Sequence, residues 1–191
     1  MLVTRMADLR LLAEKLAVSD RTLRRAAARG TIHGWRRGRQ ARVELPIQEV
    51  LYLERAWPLL NTLVGELRTL PNVRLAVLFG SRARGDPHPR SDLDLLVRFA
   101  ESGLRARGRL LARLEEALPG EQIQVVELEN ANPLLLVDVI RDGRVLVDRD
   151  GDWSTLRGRA PALGKQAATT RRELEERLAG DLEELFAEAS L

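Results

Sequence analysis

The sequence predicts a mixed α/β (α+β) protein with two short helices and a hairpin near its N-terminus and a long helix at its C-terminus. From residue 71 onward, short apolar runs bounded by Gly or Pro alternate with stretches whose apolar residues recur at helical spacing. Ahead of them, two helix-length segments precede a basic stretch around Gly38. Residues 164–189 are rich in Glu and Leu, which predicts the long helix.

The composition fits an ordered protein without thiol chemistry. Of 191 residues, 45% are hydrophobic and 31% are charged, which is ordinary for a globular chain. Because there is no cysteine, disulfides, thiolate zinc sites and a cysteine nucleophile are excluded together. No apolar run approaches the ~20 residues of a membrane span, and the first residues lack the apolar core of a signal peptide. A cytoplasmic protein without membrane contact is therefore expected.

The first 46 residues predict a winged helix-turn-helix domain. Leucines at helical spacing predict one helix over residues 6–17. Ser19 is a good N-cap for a second helix, Asp20–Arg29, and Gly30 is a typical helix stop. Residues 31–35 and 39–45 flank Arg36-Arg37-Gly38, so they predict a hairpin that would lie along a phosphate backbone as the wing.

The charge of this segment indicates a nucleic-acid partner. Residues 1–45 hold eleven basic and four acidic side chains, whereas the remainder holds 20 basic and 24 acidic ones. DNA is therefore the expected partner, and a solvated Arg-rich face is the alternative. His33, at the start of the wing, is expected near the DNA backbone. The predicted DNA-binding residues are Arg21, Thr22, Arg24, Arg25, Arg36 and Arg37.

The rest of the chain divides into a connecting helix, a larger domain and a tail. Pro46 opens the helix over residues 47–70, and Pro58 is expected to kink it or divide it in two. This helix is a connector or a dimer contact, since a homodimer is common among helix-turn-helix proteins. Residues 71–150 form the predicted larger domain and residues 151–191 a helical tail. In the larger domain, strands are predicted over residues 73–79, 92–99, 123–128 and 145–148, and helices over residues 103–118 and 132–141.

Two aspartates and a Gly-Ser turn carry the candidate chemistry. Asp92 and Asp94 stand one residue apart at the start of a predicted strand, so both carboxylates point to one face while Leu93 points to the other. Two hard anionic oxygen groups suit Mg²⁺, which prefers carboxylates, waters and substrate phosphates. Gly80-Ser81 ends the preceding strand, where backbone N–H groups and the Ser81 hydroxyl can hold phosphate oxygens. Each feature alone is a common surface element.

The joint pattern is far more specific. Residues 77–86 read VLFGSRARGD and residues 91–97 read SDLDLLV. Together they closely resemble the hallmark of the minimal nucleotidyltransferases, a branch of the DNA polymerase β superfamily, over roughly residues 70–150. The resemblance implies a small mixed sheet flanked by helices that binds ATP or another NTP with Mg²⁺. It also implies transfer of a nucleotidyl group to a hydroxyl of an antibiotic, a nucleic acid or a partner protein.

The resemblance assigns roles to individual residues of the motif. Asp92 and Asp94 match the catalytic, metal-binding aspartates of the family. The nucleotide-binding turn is matched by Gly80 and Ser81. Arg82 and Arg84 also fall inside the motif. Each could contact the nucleotide or form an ion pair at the surface or the edge of the core, and both alternatives remain open.

The sequence departs from the family at one position. The family usually supplies a third carboxylate from a neighbouring strand, and alignment of the following residues 130–135 puts Gln124 at that place. A glutamine amide ligates metal weakly and cannot act as a general base near neutral pH. Glu127 is the nearest acid on the strand, but it is three residues away and is expected to face the opposite side.

Three functions compete on this basis. One is a nucleotidyltransferase whose N-terminal domain decides where or when it acts. Another is a DNA-binding regulator whose second domain binds nucleotide or a partner with little or no turnover. Since minimal nucleotidyltransferases are often antitoxins that modify a helical toxin, the resemblance also implies a toxin partner and autoregulation through DNA. The third function, an aminoglycoside-modifying enzyme, is less supported, because the basic segment would have no purpose in it.

Overall fold

A computed structural model of the chain describes residues 6–37, 42–88 and 91–188. Its N-terminal part is a three-stranded antiparallel sheet, in the order β1-β3-β2, with two helices. The predicted helix over residues 6–17 is wrong at its start, because Met6–Asp8 pairs with a strand nearly forty residues away. The predicted turn at Gly38 lies outside the described residues. The elements are β1 (Met6–Asp8), α1 (Leu9–Lys15), α2 (Asp20–Arg29), β2 (Trp35–Arg37) and β3 (Arg42–Pro46).

The ends of α2 are those that the sequence predicts. The Ser19 hydroxyl oxygen accepts the Thr22 N–H at 3.1 Å, which satisfies one of the free amides of the first turn. Gly30 has a φ of +93° and its N–H donates to carbonyls of the last turn. Both ends are therefore fixed by local chemistry, and the second helix of the predicted helix-turn-helix has its expected length.

The connecting helix α3 (Ile47–Arg68) is continuous, so of the two predicted effects of Pro58, a kink or a division, the division is wrong. Pro58 itself is exposed, and α3 has buried residues on both sides of it, among them Leu53 and Leu60. Proline cannot donate a backbone hydrogen bond, so one such bond of the helix is missing at Pro58. Packing of the apolar face keeps the helix continuous there.

The C-terminal part is built on a mixed four-stranded sheet in the order β6-β5-β4-β7. Only β5 and β6 run parallel; the other neighbours are antiparallel, which confirms the small mixed sheet. Helix α7 lies within the predicted helical tail, and the short 3₁₀ turn after β6 is not predicted from the sequence. The elements are β4 (Val73–Phe79), α4 (Gly80–Arg84), β5 (Leu93–Phe99), α5 (Leu104–Ala117), β6 (Ile123–Glu127), a 3₁₀ turn (Leu128–Asn130), α6 (Pro133–Asp142), β7 (Arg144–Asp148), α7 (Asp152–Gly158) and α8 (Ala160–Glu188).

Both faces of this sheet are covered. One face packs against α3 and α5 and belongs to a hydrophobic cluster that continues into α1 and α2, through residues such as Leu12, Leu23 and Leu53. The other face packs against α6, α7 and the first turns of α8. Since the first cluster crosses residues 46 and 70, packing is continuous across both predicted boundaries. Among the described helices, none is long and apolar enough to cross a membrane.

A buried ion pair joins the N-terminal part to the sheet. Arg144, the first residue of β7, donates from its two terminal nitrogens to the Glu49 carboxylate of α3, at 2.6 and 2.9 Å. The two side chains are only 3% and 6% exposed. Arg144 also donates to the carbonyl oxygens of Thr31 (3.2 Å) and Ala83 (2.6 Å), and its guanidinium lies 3.5 Å from the centre of the Tyr52 ring. One side chain therefore contacts the end of α2, α3 and α4.

His33 belongs to this junction, so its predicted place near a DNA backbone is not supported. Its backbone N–H donates to Glu49 at 2.9 Å, and its ring Nε2 lies 3.1 Å from the carbonyl oxygen of Gly143. Burial and then the charge of Arg144 lower the pKa of His33 below its ordinary value, against smaller opposing effects of Glu49 and Asp142. The folded protein therefore favours the neutral ring.

Removing the charge of Glu49 should strongly destabilise the protein. Glu49→Gln leaves Arg144 buried without a counter-charge, which costs about 3–5 kcal/mol in unfolding free energy. The matched control is Glu54→Gln on the same helix, because Glu54 pairs with an exposed lysine, Lys15, at 2.5 Å; that change should cost about 1 kcal/mol or less. Equal costs in urea unfolding of the two variants would show that the buried pair does not hold the junction.

Acid should weaken the fold through His33. Since the folded pKa is lowered, the unfolded chain binds the proton first as pH falls below about 6.5, and stability is lost between that pH and the lower folded pKa. The loss is at most about 1.4 kcal/mol per pH unit for one proton. We expect His33→Gln to flatten the fall in unfolding free energy from pH 7.5 to 5.5. The control is His88→Gln, which replaces the exposed second histidine; equal flattening by the two variants would contradict the role of His33.

Candidate active site

The turn that follows β4 places the backbone of Gly80 against the carboxylate of Asp94. Gly80 has a φ of +72°, and a Cβ built on it would lie 2.3 Å from Oδ2 of Asp94. The carboxylate of Asp94 therefore occupies the space that any larger residue at position 80 would need. Gly80 is also the first residue of α4, whose last turn closes with the Ser81 carbonyl accepting the N–H groups of Gly85 and Asp86.

The two aspartates come together as the sequence predicts. Asp94 lies on β5 opposite Phe79, and Asp92 comes one residue before the strand begins. Both are partly exposed, whereas Leu93 between them is buried. Burial and then the negative charge of Asp92 raise the pKa of Asp94, and Arg84 lowers it in part. Two repelling carboxylates beside an open backbone turn fit a divalent cation with oxygen ligands such as Mg²⁺.

The strand register decides between the two candidates for the third position. Asp94 pairs with Gln124 across the parallel β5–β6 ladder, so both side chains lie on the same face, and Gln124 is exposed. Glu127 pairs with Val97 and lies on the opposite face. Within the described ranges, no group of three or more His, Cys, Asp or Glu is arranged to hold a metal ion. The site therefore has two carboxylates and an amide.

The two arginines of the motif have different partners. Arg82 donates to Glu121 at 2.5 Å, and its Nε and one terminal nitrogen lie 3.4 Å from the carbonyl oxygen of Ser91. Arg82 therefore ties α4 to Ser91, the residue that precedes Asp92. Its contact with Glu121 is the ion pair that the sequence left open as one alternative. Arg84 lies 3.4 Å from the more exposed Asp86, and its charge acts on Asp94. A nucleotide contact therefore remains a prediction for Arg84.

The structure adds two residues that the local motif does not reveal. The Tyr52 hydroxyl donates to the carbonyl oxygen of Arg82 at 3.1 Å, and Arg144 holds that of Ala83. The ring of Tyr52 also packs under Gly85, where a Cβ would lie 2.7 Å from it. Tyr52 and Arg144 lie about 30 and 60 positions away from the residues of α4 that they contact. The only local sign of the contact with Tyr52 is the glycine at position 85.

The predicted DNA-binding residues of α2 are exposed on one side of that helix. They are Arg21, Thr22, Arg24 and Arg25. Arg24 forms an ion pair with Asp20 at 2.5 Å, and the Thr22 hydroxyl lies 2.8 Å from that of Ser19. Arg36 and Arg37 belong to β2, and their side chains lie outside the described part of the structure.

Comparisons with known proteins agree on the family of the sheet domain. The family described as Polymerase beta, Nucleotidyltransferase matches residues 61–152. The protein adenylyltransferase MntA of Aphanizomenon flos-aquae is 34% identical over 98 residues, which are 45% of this chain and 64% of that protein. A candidate protein adenylyltransferase of Methanocaldococcus jannaschii is 41% identical over 64 residues, 33% of this chain and 68% of that protein.

A solved structure gives the same result. The chain resembles a protein of a toxin–antitoxin complex crystallised with AMP-PNP, with a TM-score of 0.52 and 25% identity, over 63% of this chain and 98% of that one. The similarity therefore covers part of this chain and nearly all of that one, whereas it covers only part of the curated relatives. In particular, the chain spans 64% of the length of the Aphanizomenon relative.

Replacing Gly80 should disturb the site through Asp94. Gly80→Ala introduces both a side chain at positive φ and a clash with the carboxylate, so we expect a loss of about 1–3 kcal/mol in unfolding free energy. In an Asp94→Ala background the clash is gone, and the cost should shrink by about 0.5 kcal/mol or more.

The control for this cycle is Gly65→Ala on α3, where a Cβ meets no atom within 4 Å. This variant should gain about 0.5–1 kcal/mol, because alanine favours a helix over glycine. Strictly additive effects of the changes at positions 80 and 94 would contradict the close approach of the two residues.

Proposed function

The chain belongs to the minimal nucleotidyltransferases of the polymerase β superfamily, and on that premise we propose that it transfers a nucleotidyl group, AMP from ATP, to a hydroxyl of an acceptor and releases pyrophosphate. The observation that carries the proposal is the carboxylate of Asp94 lying against the Gly80 backbone, with Asp92 beside it. This arrangement brings anionic ligands for a cation next to backbone amides for phosphate. A triphosphate bound there would be held from both sides.

Each residue has a role in this proposal. The N–H groups at the start of α4 and the Ser81 hydroxyl hold phosphate oxygens, and Gly80 lets the backbone approach them. Asp92 and Asp94 would hold Mg²⁺, which when bound neutralises charge on the phosphates and favours attack at the α-phosphorus. Arg82 positions the loop of Asp92 by binding Ser91, and Tyr52 fixes α4 from the other side.

The acceptor proton is the open step of the chemistry. Gln124, on the face of Asp94, cannot take a proton near neutral pH, and Glu127 lies on the other face. We therefore propose slow transfer by the chain alone, with the acceptor or a partner completing the site. The second candidate function follows from the same residue: a DNA-binding regulator whose nucleotidyltransferase domain binds nucleotide with little turnover.

The relatives and the basic N-terminal part support a specific setting. Because related proteins are named as protein adenylyltransferases and a structural relative comes from a toxin–antitoxin complex, we propose a protein acceptor, a toxin partner. We further propose that residues 1–46 form a winged helix-turn-helix domain that binds DNA, through which such an antitoxin would regulate its own gene.

Transfer should be visible with ATP radiolabelled at the α-phosphorus. With Mg²⁺ and an extract of the source cells, we expect label on a protein from α-labelled but not from γ-labelled ATP. Asp92→Asn should lower the rate more than about 100-fold, since even residues that only support metal ligands contribute up to that much. Gln124→Asp should raise the rate by restoring a carboxylate beside Asp94.

Glu127→Gln is the matched control for position 124, because it lies on the same strand and faces the other way. It should leave the rate unchanged. Label that appears only after Gln124→Asp would favour the regulator. Equal labelling by wild type and Asp92→Asn would exclude the proposed site.

A further inference from the structure

A small cavity between α2 and α3 has a basic lining that the proposed chemistry does not use. Its volume is about 120 Å³. Arg25 and Arg29 enter it from α2 and Arg68 from α3, together with the polar side chains Thr22 and Asn61. Among the residues that the structure describes, no acidic one lines it.

The three arginines of the cavity lack a carboxylate partner among the described residues, as Arg21 on α2 and Arg55 on α3 also do. By contrast, Arg24 on α2 pairs with Asp20, and on α3, Glu66 accepts from Arg113 at 2.6 Å. Guanidinium groups placed together without an anion repel one another, and the partly buried Arg29 also loses hydration.

Arg29 is held in this position by the fold. Its Nε donates to the Thr31 hydroxyl at 2.9 Å, and Thr31 is buried where Arg144 and Val145 bind it. Burial, and then the like charge of Arg68, lower the pKa of Arg29 to about 10, so it stays charged at neutral pH. The terminal nitrogens of Arg29 have no partner among the described residues, while the Nε bond limits how far the group can turn away.

We propose that this cavity binds a phosphate group. Planar guanidinium groups match phosphate oxygens, and Thr22 and Asn61 add a hydroxyl and an amide donor. The size also fits, because a cavity of about 120 Å³ has room for a phosphate group.

Two sources can supply such a group. Thr22, Arg25 and Arg29 lie at spacings of three and four along α2, on the side of the predicted DNA-binding face that adjoins α3. A phosphodiester of bound DNA is therefore one source, and that case rests on the proposed DNA binding. A free phosphorylated small molecule is the other, and it requires neither DNA binding nor nucleotidyl transfer.

The first test uses inorganic phosphate as the probe. At constant ionic strength set with chloride, phosphate should raise the melting temperature of the wild-type chain, and calorimetry should give a dissociation constant. Arg68→Gln should raise the dissociation constant for phosphate about tenfold or more, since hydrogen bonds between charged partners are lost. Arg107→Gln, an exposed arginine on α5, is the matched control and should bind as wild type.

A second variant guards against a merely misfolded Arg68→Gln protein. Asn61→Asp places a carboxylate beside the three guanidinium groups, so it should raise the melting temperature and abolish the effect of phosphate. No binding of phosphate by the wild type, or equal binding by wild type and Arg68→Gln, would overturn the proposal.

The salt dependence of DNA binding separates the two sources. If the phosphate belongs to DNA, Arg68→Gln should lower the slope of log affinity against log salt by about one, while Arg107→Gln leaves it unchanged. If the slope stays that of the wild type while phosphate binding is lost, the ligand is a free phosphorylated molecule. Absence of any DNA binding would contradict the proposed DNA partner, and the phosphate titration would still decide this site.

Discussion

The buried contact between Arg144 and Glu49 is the constraint on which the arrangement of this protein depends. A guanidinium that is 3% exposed needs its charge balanced and its donors satisfied, or the fold loses much of its stability. Here the balance comes from α3 and the remaining donors reach the end of α2 and the middle of α4. Satisfying one side chain therefore fixes the position of the N-terminal helices relative to the turn that would hold phosphate.

The candidate site shows how charge and backbone geometry limit each other. Asp94 approaches the Gly80 backbone closely, and Asp92 adds a second negative charge nearby, so the two carboxylates repel each other and Arg84 relieves that repulsion only in part. An uncharged Gln124 in register with Asp94 keeps that repulsion below what a third carboxylate would give, and it also weakens the attraction for a cation. The uncharged residue at position 124 thus lowers the repulsion and at the same time limits the proposed chemistry.

Features set by neighbouring residues could be predicted from the sequence, and features set by distant ones could not. The caps at Ser19 and Gly30 depend on local hydrogen bonds, and the alternation of Asp92 and Asp94 depends on strand geometry alone. Three features depend on partners that are 16 to 110 positions away: the pairing of residues 6–8 with β3, the choice of Glu121 as partner of Arg82, and the partial burial of His33. Their helical spacing or polar character gave no signal of those partners.

The matched family segment and the physical unit of this protein have different limits. The family match begins at residue 61, inside α3, whereas Glu49 and Tyr52 lie upstream of it on the same helix. A fragment excised at that boundary would keep Arg144 and lose both the carboxylate and the ring that enclose it. The nucleotidyltransferase sheet of this chain therefore cannot be moved into another protein alone: the whole connecting helix has to be included with it.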